Sequence, residues 1–270
     1  MVTGYVLEET VTELGIGKIS ISFAISNADG EPVPDKTTIS GVSAENENVL
    51  DKVKLSIADG FLASVNLLGV YKDAKGKVTK VVDAIDTGLQ NVEIAAGSIE
   101  SVNNQIADLQ SNIVALTNSP NDLANAISSI FNTMNGTIAT VSATFDVFKG
   151  FFDFGDDDVS LSFNSVAIDA KNSNDFVLNN AMKANALSGA FLAAAQKDYG
   201  TVSEIDEDLE ILNDQVEVIR SASEIDPEVL DAILDARELT SQFLEDLKLR
   251  TSKIILIETP LTGARALSYR

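Results

Sequence analysis

From Val78 to Leu116 apolar residues recur four and three apart, and no other feature of this 270-residue chain limits its fold so tightly. Val78, Val82, Ile85, Leu89, Val92, Ala96 and Ile99 make one run; Val102, Ile106, Leu109, Ile113 and Leu116 continue it after a three-residue slip. Such spacing predicts a helix over about 78–117, with one apolar stripe and a phase break near Ile99. Gly88 and Gly97 are the positions where it would kink. Its outer face carries Asn, Gln, Ser and Asp rather than Glu/Lys pairs. A single slipped stripe favours a helix packed in its own domain, and a helix facing a partner or another copy is the open alternative.

The first forty residues read differently. In "KISISFAIS" Ile19, Ile21, Phe23 and Ile25 alternate with Ser20, Ser22, Ala24 and Ser26, the period of a strand with one buried face. "GYVLEETVTELG" is its expected partner in a hairpin through Gly15 and Gly17, and "NADGEPVPD" ends the β region. One hairpin is marginal in water, so these strands are expected to need partners from outside the chain.

From Ser43 the period becomes helical, with Val49, Leu50, Val53, Ile57, Phe61 and Val65 on one stripe and Leu62 beside it. "GVYKDAKGKV" holds two glycines and reads as a loop. Ser119 and Pro120 are a cap and first-turn pair for a helix over about 120–134 that closes at Asn135-Gly136. An apolar patch follows, with Phe145, Phe148, Phe151, Phe152 and Phe154. A helix over about 175–198 has almost no charge in its middle and is expected to be buried. Thr201 and Glu204 form a capping box for a helix over about 203–222, and Asp226-Pro227 starts another over about 227–250. "SKIILIE" then reads as extended. The expected class is α+β, predominantly α-helical: a β-hairpin region at 1–40, a helical bundle at 41–250 and an extended connector at 251–270.

Composition narrows the function. Acidic residues number 41 against 19 basic ones, a net charge of -22, and no Lys/Arg cluster offers the cationic footprint of tight nucleic-acid binding. An acidic surface can instead let DNA slide past. With no Cys and no His, the thiol nucleophile, the disulfide, the commonest general base and the commonest zinc ligands are all missing. Residues 1–15 have neither a basic start nor an apolar core and do not read as a secretory signal. No apolar run reaches the length of a membrane span, so no membrane insertion is expected.

Two acidic segments invite a chemical reading. "DFG" at Asp153–Gly155 has none of the companion motifs of a kinase magnesium site. Asp153, Asp156, Asp157 and Asp158 concentrate carboxylates, but without the alternate spacing and closing Glu of a calcium loop, so a solvated acidic loop is expected. Glu204, Asp206, Glu207, Asp208 and Glu210 fall in the first turns of one helix, where the macrodipole stabilises negative charge. No catalytic, cofactor-binding or metal residue is assigned, and the chain is not expected to be an enzyme.

The order of segments resembles a known family. "GKISISFAISNADGEPVPD" runs into amphipathic helices and then "LTNSPNDLANAISSIFNTM"; later come "TVSEIDEDLEILNDQVEVIR", "EVLDAILDARELTSQFLEDLK" and "TPLTGARALSYR". This is similar to the phage tail/DNA circulation protein family of Mu-like bacteriophages. In that family a strand with a nearby proline precedes the helices. Its short "P-x-x-L-A-x-A-I/L" helix is matched by Pro120, Leu123, Ala124, Ala126 and Ile127. Its "P-x-x-x-L-A-Y-R" segment is matched loosely by Pro260, Ala266, Leu267, Tyr269 and Arg270.

The resemblance implies a structural baseplate component of the virion, assembled in the host cytoplasm. It would form a cyclic ring with copies of itself, hexameric or else trimeric, between the tail tube and the hub. Its neighbours would be tail-tube, hub/spike and tape-measure proteins, with DNA passing through the lumen. The hairpin would be the remnant or edge of a tail-tube-like β domain. Ile254–Ile257 and Ala266–Tyr269 would pair with another chain or with a continuation absent here. The alternative is a free-standing acidic helical-bundle or coiled-coil adaptor, and an acidic hydrolase ranks last.

Overall fold

A computed structural model describes residues 2–11, 17–25, 39–62, 68–90, 96–137, 141–158, 165–222 and 225–251. Among them eight helices follow two strands: β1 (Val2–Val11), β2 (Gly17–Ile25), α1 (Ile39–Gly60), α2 (Leu68–Gln90), α3 (Ala96–Thr117), α4 (Pro120–Thr137), α5 (Val141–Lys149), α6 (Val166–Gln196), α7 (Val202–Ser221) and α8 (Pro227–Arg250). Of the connector expected at 251–270, residues 252–270 lie outside the described residues.

The expected α+β class is corrected to an all-α body. Between residues 39 and 251 no described residue is in a strand, and the described core is helical, apart from short turns such as Phe151–Phe152. The backbones of β1 and β2 pair antiparallel, from Val2 opposite Ile25 to Val11 opposite Gly17, in a sheet of only these two strands. A two-stranded ribbon is not a layer against which helices can stack, so it does not make a β domain or the edge of one.

Helix α6 is the hub, touching α1, α2, α4, α5, α7 and α8, while α3 lies against α2 and α4. Its C-terminal half reads "AMKANALSGAFLAAA", and all of Ala181–Ala195 is buried. Small side chains let neighbours approach on every side. Gly189 is the clearest case: a Cβ there would stand 2.5 Å from Phe148 Cζ. Phe148 stacks on Phe131 with ring centroids 6.3 Å apart, and Phe151 meets Phe131 edge-on at 5.9 Å. The phenylalanine patch is thus core, with Phe145, Phe148, Phe151 and Phe152 buried and Phe154 half-buried.

Two further expectations change. The single helix over 78–117 is two helices, α2 and α3, packed on each other. The two have different further partners, α6 for α2 and α4 for α3. The segment read as a loop, Gly69–Val78, belongs to α2. Val70, Ala74, Lys77 and Val78 are buried there at near-helical spacing, and that packing outweighs a propensity cost of about 1 kcal/mol for each of Gly69 and Gly76. Gly88 does not act as a kink: its bare backbone admits the Phe151 ring, 2.6 Å from where a Cβ would stand.

The helix starts follow local chemistry. Thr201 Oγ1 accepts from Glu204 N while the Glu204 carboxylate accepts from Thr201 N, a closed capping box. The Asp226 carboxylate accepts from Glu228 N at 2.9 Å, with Pro227 in the first turn. Helix α6 begins earlier than its charge pattern suggested, at Val166, where Ser165 Oγ accepts from Ile168 N.

Candidate functional site

The acidic turn after α5, expected to be solvated, is anchored. Lys77 from α2 pairs with Asp158 Oδ2, and Lys80, one turn on, donates to Asp158 Oδ1 at 2.9 Å. Asn179 from α6 donates to Asp158 Oδ2 at 3.1 Å, and Lys183 of α6 pairs with Asp156. The chain makes this turn at Gly155, whose φ of +83° favours glycine; a Cβ there would also collide with the Asn179 amide. Two of the four aspartates are therefore held, while Asp153 and Asp157 stay exposed.

Burial decides the electrostatics of this cluster. The Lys77 side chain is 3% exposed, and its ammonium also lies 5.1 Å from the centre of the Phe154 ring. Burial lowers its pKa, opposed by Asp158. For Asp158 burial alone would raise the pKa, but hydrogen bonds from Lys77, Lys80 and Asn179 outweigh it and hold the carboxyl well below the usual range. Asp158 is thus ionised at any ordinary pH, and its lone pairs are occupied. That is the chemistry of an anchor rather than of a general acid or base.

The carboxylates at the start of α7 separate into distinct roles. Glu204 closes the capping box and Asp206 pairs with Lys248 of α8. Asp208 is buried, accepting from Tyr199 Oη and from Lys197 Nζ, each at 2.8 Å. Burial, then the Asp208 charge, push the Tyr199 hydroxyl far above its ordinary pKa, so it is a permanent donor. Glu207 and Glu210 are exposed. No pair of these acids faces another across a cleft, as glycosidase chemistry would need. Among the described residues no group of three or more Asp or Glu could hold a metal ion.

A neutral polar cluster lies deeper, where α1, α4 and α6 meet. Asn46 Nδ2 donates to Ser188 O at 2.8 Å, Ser188 Oγ donates to Asn46 O, and Asn135 Nδ2 donates to Asn46 Oδ1 at 3.2 Å. One turn from Ser188, the Asn185 amide is fully buried with neither atom hydrogen-bonded among the described residues.

Among the described residues one open feature is a cleft of about 540 Å³ between α2 and the α5 end of the acidic turn, lined by Asp83, Ala84, Asp146, Val147, Phe151 and Asp153 among others. Sequence reading missed it, because its two walls are some sixty residues apart. Among the described residues no helix is long and apolar enough to cross a membrane. No family model matches the chain, and no curated protein matches it.

Proposed function

We propose that this chain is a non-catalytic structural subunit that works by assembly, in the tail of a phage or phage-like particle, as a ring between tail tube and hub. The observation that carries this reading is how its charge is distributed. Buried or half-buried lysines, Lys77, Lys171, Lys183, Lys197 and Lys248, are held in internal ion pairs. On a chain of net charge -22 this leaves carboxylates to dominate the surface. Such a surface repels nucleic acid and suits a lumen through which DNA passes without sticking. The tail setting itself is supported by the order of segments in the sequence, from "GKISISFAIS" to "TPLTGARALSYR".

Sedimentation and negative-stain microscopy test it. A ring subunit assembles into closed cyclic particles, six-fold or three-fold, as concentration rises. A cooperatively melting monomer that persists at micromolar concentration overturns the ring. It would leave the second reading, a free-standing acidic helical adaptor. One observation favours that second reading: the stripes of α1, α2, α3 and α4 all close on a single internal core, so the body folds around itself.

A further inference from the structure

The cleft beside the acidic turn joins two surfaces that suit one kind of guest. Its floor is apolar: half-buried Ala84 and Phe154 are accessible, while buried Val147 and Phe151 support them from the core side. Its rim carries Asp83, Asp146 and Asp153, all exposed and none in an ion pair among the described residues. A lysine or arginine side chain matches both, with its alkyl stem on the apolar floor and its charged head among the carboxylates. A second copy of this chain would bring another -22 charges to a rim that is already anionic. The guest with the complementary charge is a different protein.

We propose that this cleft docks a basic amphipathic segment of a partner protein, seating the alkyl stems of Lys or Arg side chains on Ala84 and Phe154. The proposal rests on the assembly reading and names the chemistry of one neighbour. Gly88 is part of the device. It lets Phe151 lie buried against α2, and a Cβ at that position would stand 2.6 Å from Phe151 Cζ and displace the ring that supports the floor.

The test is fluorescence anisotropy with a labelled helical peptide of Leu, Ala and Arg, its arginines in one stripe, titrated with the whole chain. Replacing the rim in the triple variant Asp83→Lys, Asp146→Lys, Asp153→Lys is expected to weaken binding about tenfold or more. A control of identical charge change on α7 and α8, Glu207→Lys, Asp231→Lys, Asp235→Lys, is expected to weaken it less than about threefold. Gly88→Ala, which changes no charge, is expected to weaken it several-fold with the salt dependence intact. If Gly88→Ala loses its helical circular dichroism, Phe154→Ser probes the floor in its place. The proposal is overturned if the wild type does not bind, if both triples weaken binding equally, or if the floor variant binds as the wild type does. None of these outcomes alters the sedimentation result, so docking and ring formation fail separately.

Discussion

Along α6, the stretch from Val166 to Asn180 and the stretch from Ala181 to Ala195 hold their neighbours with different chemistry. The first works through directed polar contacts. Asn174 is buried and grips the backbone of Leu62 at both ends, accepting from Leu62 N at 2.6 Å and donating to Leu62 O at 3.0 Å. Asn179 holds Asp158, and Lys183, just past the boundary, holds Asp156. The second, apart from the Ser188 bonds to Asn46, works through size: Ala184, Ala186, Gly189 and Ala190 leave room that Phe148 and other large neighbours fill. A directed contact fails when one partner is removed, and a packed one fails when volume changes in either direction.

That contrast can be broken by substitution. The largest effect is expected in the packed half: Phe148→Ala leaves a cavity beside α6 and costs about 3–5 kcal/mol in chemical denaturation. A loss under about 1 kcal/mol would mean that the core can collapse around it and that size does not rule there. Next comes Asp158→Ala, expected to cost about 3 kcal/mol because it strands the buried Lys77 ammonium without its partner.

The same residue sets a pH signature. Its carboxyl has a folded pKa below the unfolded value of 3.8, so its stabilisation is present above that value and drains away as pH falls further. Acid titration of the wild type should therefore show an unfolding limb below about pH 4 that is shallower in Asp158→Asn, and equal limbs would refute the anchor.

Gly189→Ala is expected to cost about 2 kcal/mol by overpacking against Phe148, and the additional change Phe148→Leu should recover part of that loss. A purely additive double variant would show that the two positions do not share the space. The smallest expected effect is Asn174→Ala, about 1–2 kcal/mol for leaving the Leu62 backbone groups unpaired, with little change in response to salt. Salt sensitivity equal to that of the Asp158 variants would merge the neutral and charged contacts into one class.

How far the sequence foretold this depends on the range of the interaction. Helix starts at Thr201 and Asp226-Pro227 are written within four residues and were legible. So was the stripe Val49–Ile57, because burial on one helical face repeats every three or four positions. Gly69–Val78 misled because glycine marks loops by local preference, while Val70, Ala74 and Val78 are held in a helix by packing that only the folded chain supplies.

The anchored turn was illegible for a related reason. Lys77 and Asp158 are 81 residues apart, and nothing in "FGDDD" shows which of its aspartates meets a lysine. The cleft shares that limit, since it needs α2 brought opposite α5 and the turn that follows it. The two-strand region was legible as a pattern, yet it could not tell that the described body would build its core from helices alone.

The place of α6 in the chain has a consequence for how the protein is made. Its partner α1 leaves the ribosome far ahead of it; the bonds between Asn46 and Ser188 close over 142 residues. Until Ser188 emerges, the apolar faces of α1, α2 and α5 have no hub, and for α1, at about 5–20 residues per second, that wait lasts roughly 7–28 seconds. Newborn chains thus spend their synthesis with greasy helix faces uncovered, a stretch when chaperone binding competes with misassembly. The order of its helices makes this protein a late closer.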